Sequence, residues 1–515
     1  MKKTKLFLSS LLLAGCIVTA QQNDPVVEAI VKDATENSQL ENLAHELMDV
    51  VGPRLVGSPQ MKAAGDWAVN KYKSWGIDAK TEKYGDWRGW ERGITHIDMV
   101  EPRVQTLQGM QLAWSPSTGK KGVRGEVVAL PTVANEGEFQ NWLKTIKGKI
   151  VLTSMPQPTG RPDENWEEFA TPESFEKMKE MRDTMNSTFR NNMRNMGIGS
   201  RELDATLEKA GAIAVISSNW SRGFGVNKIF STSTEKIPEI DLELEDYGML
   251  WRLAESGHKP EVNIVAESKE LGKQPTFNTL AEIKGTEKPE EYIVLSAHFD
   301  SWDGGTGATD NGTGTITMME AARLLKKHYP NPKRTIIVGL WGSEEQGLNG
   351  SRAFVEDHPE IVEGVQAVFN QDNGTGRVVN LSGGGFLYSY DYLSSWLDAV
   401  PNDITKHIET SFPGSPARGG SDYASFQAAG APAFSLSSIS WDYWNYTWHT
   451  NRDTYDKIVF DDVRNNAILT AILAYKASED PDKTSREKAV LPMDSRTGEP
   501  REWPEPRSPT RLGGM

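Results

Sequence analysis

The alternation of apolar and polar positions along the chain predicts an α/β fold. From Phe277 to about Ala477, short apolar strands alternate with amphipathic helical segments, which is typical of a mostly parallel sheet with helices on both faces. Apolar residues three and four positions apart also predict helices on either side of a break between Gly52 and Pro59. We therefore expect one large sheet-based domain that begins with helices.

The middle of the chain has a different character. Short apolar runs that resemble strands surround a Met-rich helical stretch from Phe175 to Met196, and this change predicts an inserted β-rich domain. In the Met-rich helix, core packing is favoured over a lid or a dimer contact. The predicted division is residues 1–20 as a signal, 24–120 and 271–480 as two parts of a catalytic domain, 121–270 as the insert, and 481–515 as a Pro-rich extended tail.

The first residues predict export, because lysines precede an apolar run from Leu6 to Ala14 that is too short to span a bilayer. Cys16, the only cysteine, ends a Leu-Ala-Gly-Cys sequence that resembles a bacterial lipobox, where a lipid anchor would be attached. The apolar residues after it favour instead one longer signal cut after Ala20. Both alternatives predict a secreted, periplasmic or surface-held protein, and no later segment predicts a transmembrane helix.

The charge and composition of the chain limit the classes of function that it can have. The 515 residues carry a formal net charge of -15 with both signs scattered along the chain. Nucleic acid is disfavoured as a partner, because phosphate binding needs a basic face. The 37 % hydrophobic content is that of an ordinary folded protein, and the length predicts more than one domain.

Three consecutive predicted strands end in residues that bind metals. Because the carboxyl ends of parallel strands open onto the same crevice, we expect these side chains to converge. Asp310 precedes a helix, and His449 lies in a later loop. The strand at 292–297 is followed by His298 and Asp300, the strand at 335–341 by Glu344 and Glu345, and the strand at 365–370 by Asp372.

Each of these motifs alone has a plainer interpretation. Asp310 stands where an N-cap would be, and Glu344 and Glu345 resemble the first turn of a helix stabilised by its dipole. Together they favour zinc, because imidazole and carboxylate ligands without thiolate suit an open catalytic site, and a carboxylate can bridge two ions. One of the two glutamates would then bind metal while the other serves as the base.

These motifs resemble those of the M28 zinc peptidases, and in particular a branch of that family with a carboxypeptidase name. The resemblance covers roughly residues 40–480 and extends beyond the site. Its motifs include Gly52-Pro53-Arg54-Leu55, Trp90-Glu91-Arg92-Gly93, Phe277-Asn278-Thr279, His298-Phe299-Asp300, Pro332-Lys333-Arg334-Thr335 and Glu344-Glu345-Gln346-Gly347.

The resemblance implies a role for each site residue and two zinc ions per chain. It also implies a cis peptide bond at Asp310–Asn311, a protease-associated type of insert, and a homodimer. In the implied site Asp310 bridges both ions, His298 and Asp372 complete one, Glu345 and His449 complete the other, Glu344 is the general base, and Asp300 fixes the tautomer of His298.

Substrate contacts are less well defined. Asp422 is a candidate for holding a substrate amine, and Trp444 and Tyr446 are candidates for lining an apolar pocket. The segments 372–374 and 451–452 depart from the family pattern, which puts the substrate preference in doubt more than the catalysis. The sequence does not decide which end of the peptide is held.

Three functions are compatible with this pattern. The first is a two-zinc exopeptidase acting on dipeptides or short peptides. The second is a metal-free binding protein on the same scaffold, against which the complete ligand set argues. The third is a one-zinc acyltransferase resembling glutaminyl cyclase. A metalloprotease of the HExxH type is excluded for the segment at His45, because it lacks the second histidine.

Overall fold

The computed structural model describes residues 24–372 and 374–514. The helices are α1 (Pro25–Glu36), α2 (Leu40–Ala44), α3 (Pro59–Ser74), α4 (Glu136–Leu143), α5 (Asp163–Phe169), α6 (Pro172–Met196), α7 (Ser200–Lys209), α8 (Leu244–Glu255), α9 (Thr313–His328), α10 (Asn349–Asp357), α11 (Pro359–Gly364), α12 (Ser389–Leu397), α13 (Asn402–Thr405), α14 (Tyr423–Ala428) and α15 (Phe460–Glu479). The strands are β1 (Asp78–Glu101), β2 (Gln105–Thr106), β3 (Gly109–Gln111), β4 (Val123–Ala129), β5 (Ile150–Leu152), β6 (Ala214–Ser217), β7 (Glu239–Leu242), β8 (Glu261–Ile283), β9 (Lys288–His298), β10 (Arg334–Trp341), β11 (Val365–Asn370), β12 (Val378–Ser382), β13 (Glu409–Ser411), β14 (Ala433–Ser438) and β15 (Leu512–Gly513).

The described strands join in one long sheet, and the α/β prediction is confirmed. The order is β13-β12-β14-β11-β9-β10-β8-β4-β5-β6-β7-β3. The strands β14, β11, β9 and β10 are parallel, whereas β8 is antiparallel to β10 at one end and to β4 at the other. The long strand β8 therefore connects the main part of the sheet, which contains β9, β10, β11 and β14, to a smaller part, which contains β3 to β7.

Strand β9 shows why helices cover both faces of the main sheet. Side chains alternate between the two faces of a strand, and all residues from Ile293 to Ala297 are fully buried. Ile293 and Leu295 pack into the cluster that includes α9 and α15, and Val294 packs into another that includes Phe354 of α10. An apolar strand buried on both faces must be covered by helices on both sides.

The region between residues 121 and 270 contains more helix than the sequence predicted. Its short strands β5 and β6 are fully buried, and α4, α6 and α7 pack on one side of them. In α6, Met178 and Met196 are buried while Met181 is 44 % exposed. The region thus contains less strand and more helix than the β-rich expectation. Strands of three or four residues that are buried on both faces need helices to cover them.

The C-terminal segment folds back onto the domain. Trp503 packs on Phe386 and donates a hydrogen bond to the Gln427 carbonyl at 3.0 Å. Arg511 forms an ion pair with Asp357, and β15 adds a short parallel pairing to β1. These contacts fasten the segment at both ends.

No helix in the described part of the chain is long and apolar enough to cross a membrane. The predicted signal at residues 1–20 and the predicted lipid anchor at Cys16 lie outside the described residues. Export and the homodimer stay predictions.

Candidate metal centre

Three parallel strands bring the predicted ligands to one edge of the sheet. β9 ends at His298, which pairs in register with Trp341, the last residue of β10. β11 ends at Asn370, two residues before Asp372. The predicted strand bounds are confirmed within a few residues, and the carboxyl ends of the strands open onto a common site.

The five predicted ligands form two clusters that share Asp310. In the first, His298 Nε2 lies 3.1 Å from Asp372 Oδ1 and 3.3 Å from Asp310 Oδ1. In the second, His449 Nε2 lies 2.8 Å from Glu345 Oε2 and 3.4 Å from Asp310 Oδ2. The two oxygens of one carboxylate thus face two different clusters.

Asp310 does not cap α9, so the plainer sequence interpretation of this residue is wrong. The residue before α9 is Gly312, and no side chain caps the helix. The backbone of Asp310 is held instead by Asp453, whose carboxylate accepts hydrogen bonds from the N–H groups of Thr309 at 2.6 Å and of Asp310 at 3.0 Å. The Asp310–Asn311 peptide bond is cis, as the resemblance implied.

Glu344 and Glu345 do not begin a helix either, since α10 begins at Asn349. Their backbone N–H groups donate to the Asp300 carboxylate, at 3.0 Å from Glu344 and 3.3 Å from Glu345. Only Glu345 belongs to a metal cluster. This turn therefore places Glu345 in a candidate metal cluster and leaves Glu344 outside both clusters.

Asp300 contacts His298 through its backbone and not through its carboxylate. His298 Nδ1 lies 3.0 Å from the Asp300 carbonyl oxygen, and the Asp300 carboxylate is 3.9 Å away. A carbonyl can only accept, so Nδ1 carries the proton and Nε2 is free to bind metal. The predicted influence on the tautomer is thus exerted by the carbonyl, while the carboxylate holds the glutamate turn.

The electrostatics of the centre favour a bound cation. Burial raises the pKa of Glu344 and of Glu345 well above the usual glutamate value, and neighbouring carboxylates raise both further. Among the described residues, Asp310 Oδ2 and Glu345 Oε1 are buried without a hydrogen-bond partner. Buried carboxylates need compensation, and carboxylate and imidazole groups without sulfur are suitable zinc ligands. The donor set fits zinc.

The weaker substrate candidates fall in different environments. Asp422 is fully buried, and neither of its carboxylate oxygens has a hydrogen-bond partner in the part of the chain that the structure describes. Tyr446 lines a cavity of about 440 Å³ that also contains Thr309 and Tyr443. Trp444 is 58 % exposed and does not line this cavity. The structure thus brings Tyr446 near the centre and leaves Trp444 at the surface.

Arg54, to which no role was assigned from the sequence, is fully buried next to the centre. Its guanidinium donates to the carbonyls of Phe299 at 2.6 Å, and of Thr306 and Gly307 at 2.8 Å. Burial lowers the pKa of Arg54 to about 10, and the charge of Asp453 opposes the shift. Arg54 therefore ties the loop after β9 to the N-terminal helices.

A segment of the middle region supports the His449 loop. The N–H of Ile229 donates to the His449 carbonyl at 2.8 Å, and the Asn227 N–H donates to the Asn451 side chain at 2.9 Å. Phe230 packs edge-on against the His449 ring at 5.2 Å. No sequence pattern indicated this contact, which joins residues more than two hundred positions apart.

Comparisons with known proteins agree with this geometry. The model of Peptidase family M28 matches residues 278–474, a range that includes all five candidate ligands. Carboxypeptidase Q from Mus musculus is 27 % identical over 461 residues, which cover 88 % of this chain and 90 % of that protein. Carboxypeptidase Q from Xenopus laevis is 28 % identical over 437 residues, 83 % of each protein.

The chain is similar to Peptidase family M28 and to carboxypeptidase Q. The predicted resemblance to this family and to its carboxypeptidase Q branch is confirmed. The prediction of a metallo-exopeptidase is confirmed.

Solved structures confirm the predicted fold. A Peptidase M28 precursor from Shewanella amazonensis has a TM-score of 0.65 at 24 % identity and covers 91 % of this chain and 99 % of its own. A zinc aminopeptidase from Bacillus subtilis has a TM-score of 0.57 at 19 % identity, with coverage of 87 % and 97 %. At these identities the likeness concerns the fold alone.

Proposed function

We propose that this protein binds two zinc ions and hydrolyses dipeptides or short peptides. Asp310 would bridge the ions, His298 and Asp372 would complete one site, and Glu345 and His449 would complete the other. The observation that carries this proposal is the division of the Asp310 carboxylate, whose Oδ1 faces His298 at 3.3 Å while Oδ2 faces His449 at 3.4 Å. A single ion would use only one side of this arrangement.

Glu344 acts as the general base in this proposal. Bound zinc would supply Lewis acidity for the scissile carbonyl and a water of lowered pKa. Glu344 takes a proton from the attacking water on its carboxylate and delivers it to the leaving amine. Its pKa, raised by burial, supports this role, because a higher pKa favours transfer of a proton from water to the carboxylate.

Asp422 holds the substrate amine in this proposal. It is a fully buried acid with two unpartnered oxygens in the described structure, and its pKa is raised to about 7 by burial. An ammonium group would supply the missing hydrogen bonds and the compensating charge. The aromatic cavity beside Tyr446 would take an apolar side chain.

The proposal is tested by measuring the release of free amino acid from an unblocked and an N-acetylated dipeptide, with chelator and with added zinc. Chelator-sensitive release from the unblocked dipeptide, restored by zinc, is the expected result. N-acetylation is expected to abolish it, because it removes the charge that Asp422 would bind. Cyclisation of an N-terminal glutamine peptide without any hydrolysis would instead favour the acyltransferase alternative.

A further inference from the structure

Lys228 is a buried cation beside the metal centre. It is 9 % exposed, and in the described structure no hydrogen bond or ion pair reaches its Nζ atom. A lysine is rarely buried without a paired acid, because removing an ammonium from water is costly. Its position therefore needs an explanation.

The ring of Trp448 connects Lys228 to a metal ligand. Lys228 Nζ lies 4.5 Å from the centre of the Trp448 ring. That ring stacks on the His449 ring at 3.9 Å with an angle of 28° between the two planes. The ammonium therefore contacts a ring that is itself stacked on a residue of the second metal cluster.

The neighbouring acid Asp241 acts on Lys228 through its charge but forms no ion pair with it in the described structure. The Asp241 carboxylate accepts hydrogen bonds from backbone N–H groups, at 2.7 Å from Asn219 and at 3.3 Å from Lys228 itself. No ion pair joins Asp241 to Lys228 Nζ within the described residues, and burial raises the pKa of Asp241 to about 7. The charge of Lys228 remains available.

The backbone around Lys228 is fixed by the His449 loop, and its ammonium lies against the Trp448 ring. Residues 227–229 bond to the His449 loop through two backbone N–H groups, and Lys228 forms a β-bridge with Thr450. The pKa of Lys228 is lowered by burial to about 8, at which the amine is mostly protonated at neutral pH. The protein thus presents a positioned positive charge next to a centre that is otherwise rich in carboxylates.

We propose that Lys228 is a specificity residue that binds the carboxylate of a short peptide substrate at the metal centre. This inference rests on the proposed peptidase function. A peptide with a free carboxyl group carries the one charge that the carboxylate-rich centre would otherwise repel, and Lys228 offers a charge-assisted hydrogen bond to it. The carboxylate comes either from the C-terminus of the substrate or from an acidic side chain.

The test compares kcat/KM for Ala-Ala, Ala-Ala amide and Ala-Glu amide in the wild type and in Lys228→Met. The wild type is expected to prefer Ala-Ala over its amide by about 10- to 100-fold, the range of a charge-assisted hydrogen bond. In Lys228→Met this preference is expected to disappear, and Lys228→Arg is expected to keep most of it. Good cleavage of Ala-Glu amide by the wild type would assign the carboxylate to the side chain.

Lys236→Met provides the matched control, because Lys236 is an exposed lysine eight residues further along the same segment. It is expected to keep the wild-type preference. A free-acid preference that is unchanged in Lys228→Met would overturn the proposal for Lys228, and so would a wild type that prefers neither Ala-Ala nor Ala-Glu amide over Ala-Ala amide. An equal loss on Ala-Ala and its amide would also overturn it and assign Lys228 a structural role. Failure of the wild type to cleave any peptide would instead contradict the peptidase function.

Discussion

The carboxylate of Asp453 holds the backbone of Asp310 in place from within the protein. It accepts hydrogen bonds from the Asp310 N–H at 3.0 Å and from the preceding Thr309 N–H at 2.6 Å. Asp453 is only 3 % exposed. The proposed bridging carboxylate thus depends on a second acid that binds no metal itself.

Replacing Asp453 by Asn should weaken zinc binding. One of its two oxygens becomes an NH₂ group that faces a backbone donor, so the loop loses a hydrogen bond and Asp310 loses its position. Changes in groups that orient ligands typically reduce metal affinity by about 10- to 100-fold. Zinc affinity from a competitive chelator titration measures this effect. Asp456→Asn, an exposed change three residues away whose acid contacts Lys457, should leave the affinity unchanged.

Glu344→Gln and Glu345→Gln should differ in their effect on zinc binding although the two residues are adjacent. Glu344 belongs to neither cluster, whereas Glu345 Oε2 lies 2.8 Å from His449 Nε2. We expect Glu344→Gln to keep its zinc and to lose at least about 100-fold in turnover, since it removes the base. Glu345→Gln should lose zinc. Wild-type turnover in Glu344→Gln would show that another group is the base.

The strands of the site were predictable from the sequence because they are buried on both faces. Runs such as Val365 to Asn370 contain almost only residues that suit a covered strand, and β11 has these bounds. The carboxyl ends of the strands then followed from parallel topology. The amino-acid sequence alone was therefore enough to place most of the candidate ligands at one edge of the sheet.

Prediction from the sequence failed at positions where contacts with distant residues determine the backbone conformation. The sequence around Asp310 is typical of an N-cap. In the structure, the Asp310 N–H instead donates a hydrogen bond to the carboxylate of Asp453, which lies 143 positions away. Arg54 and Lys228 were missed because their roles depend on loops distant in sequence. The sequence predicted Asp300 beside His298, and the structure shows that its carbonyl contacts His298 while its carboxylate accepts a hydrogen bond from the Glu344 N–H.

Replacing Arg54 by Met should destabilise the fold around the centre. The guanidinium donates hydrogen bonds to four carbonyl oxygens, those of Gly52, Phe299, Thr306 and Gly307. Each buried polar group that loses its partner costs on the order of 1 kcal/mol or more, so we expect a loss of about 3 kcal/mol. Urea unfolding measures this change. The surface variant Arg103→Met should stay within about 0.5 kcal/mol of the wild type, and an equally small effect of Arg54→Met would contradict the role given to Arg54.

Asp33 should contribute stability that disappears in acid. Burial raises the pKa of Asp33, but the hydrogen bonds from Lys327 and His328 and the charge of Arg323 outweigh it, so its pKa lies well below the usual value. A lowered pKa in the folded state means that the contribution is present above the unfolded value of about 4 and is lost as the pH falls below it.

The pH dependence of Asp33→Asn provides the measurement. The difference in unfolding free energy between wild type and Asp33→Asn should be constant from pH 7 to 5 and shrink between pH 4 and 2. Asp66→Asn, which removes an exposed acid paired with Lys62, should show little difference at any pH. A difference for Asp33→Asn that grows on acidification would have the wrong sign for this network.

The most direct test of the two-zinc site is to titrate zinc into metal-free protein while recording bound zinc and peptide hydrolysis together. The split carboxylate of Asp310 predicts binding that saturates at two ions per chain, with full activity only after the second ion has bound. His449→Ala should lower the bound zinc. Full hydrolytic activity at one zinc per chain, with no further ion bound, would contradict the two-zinc site.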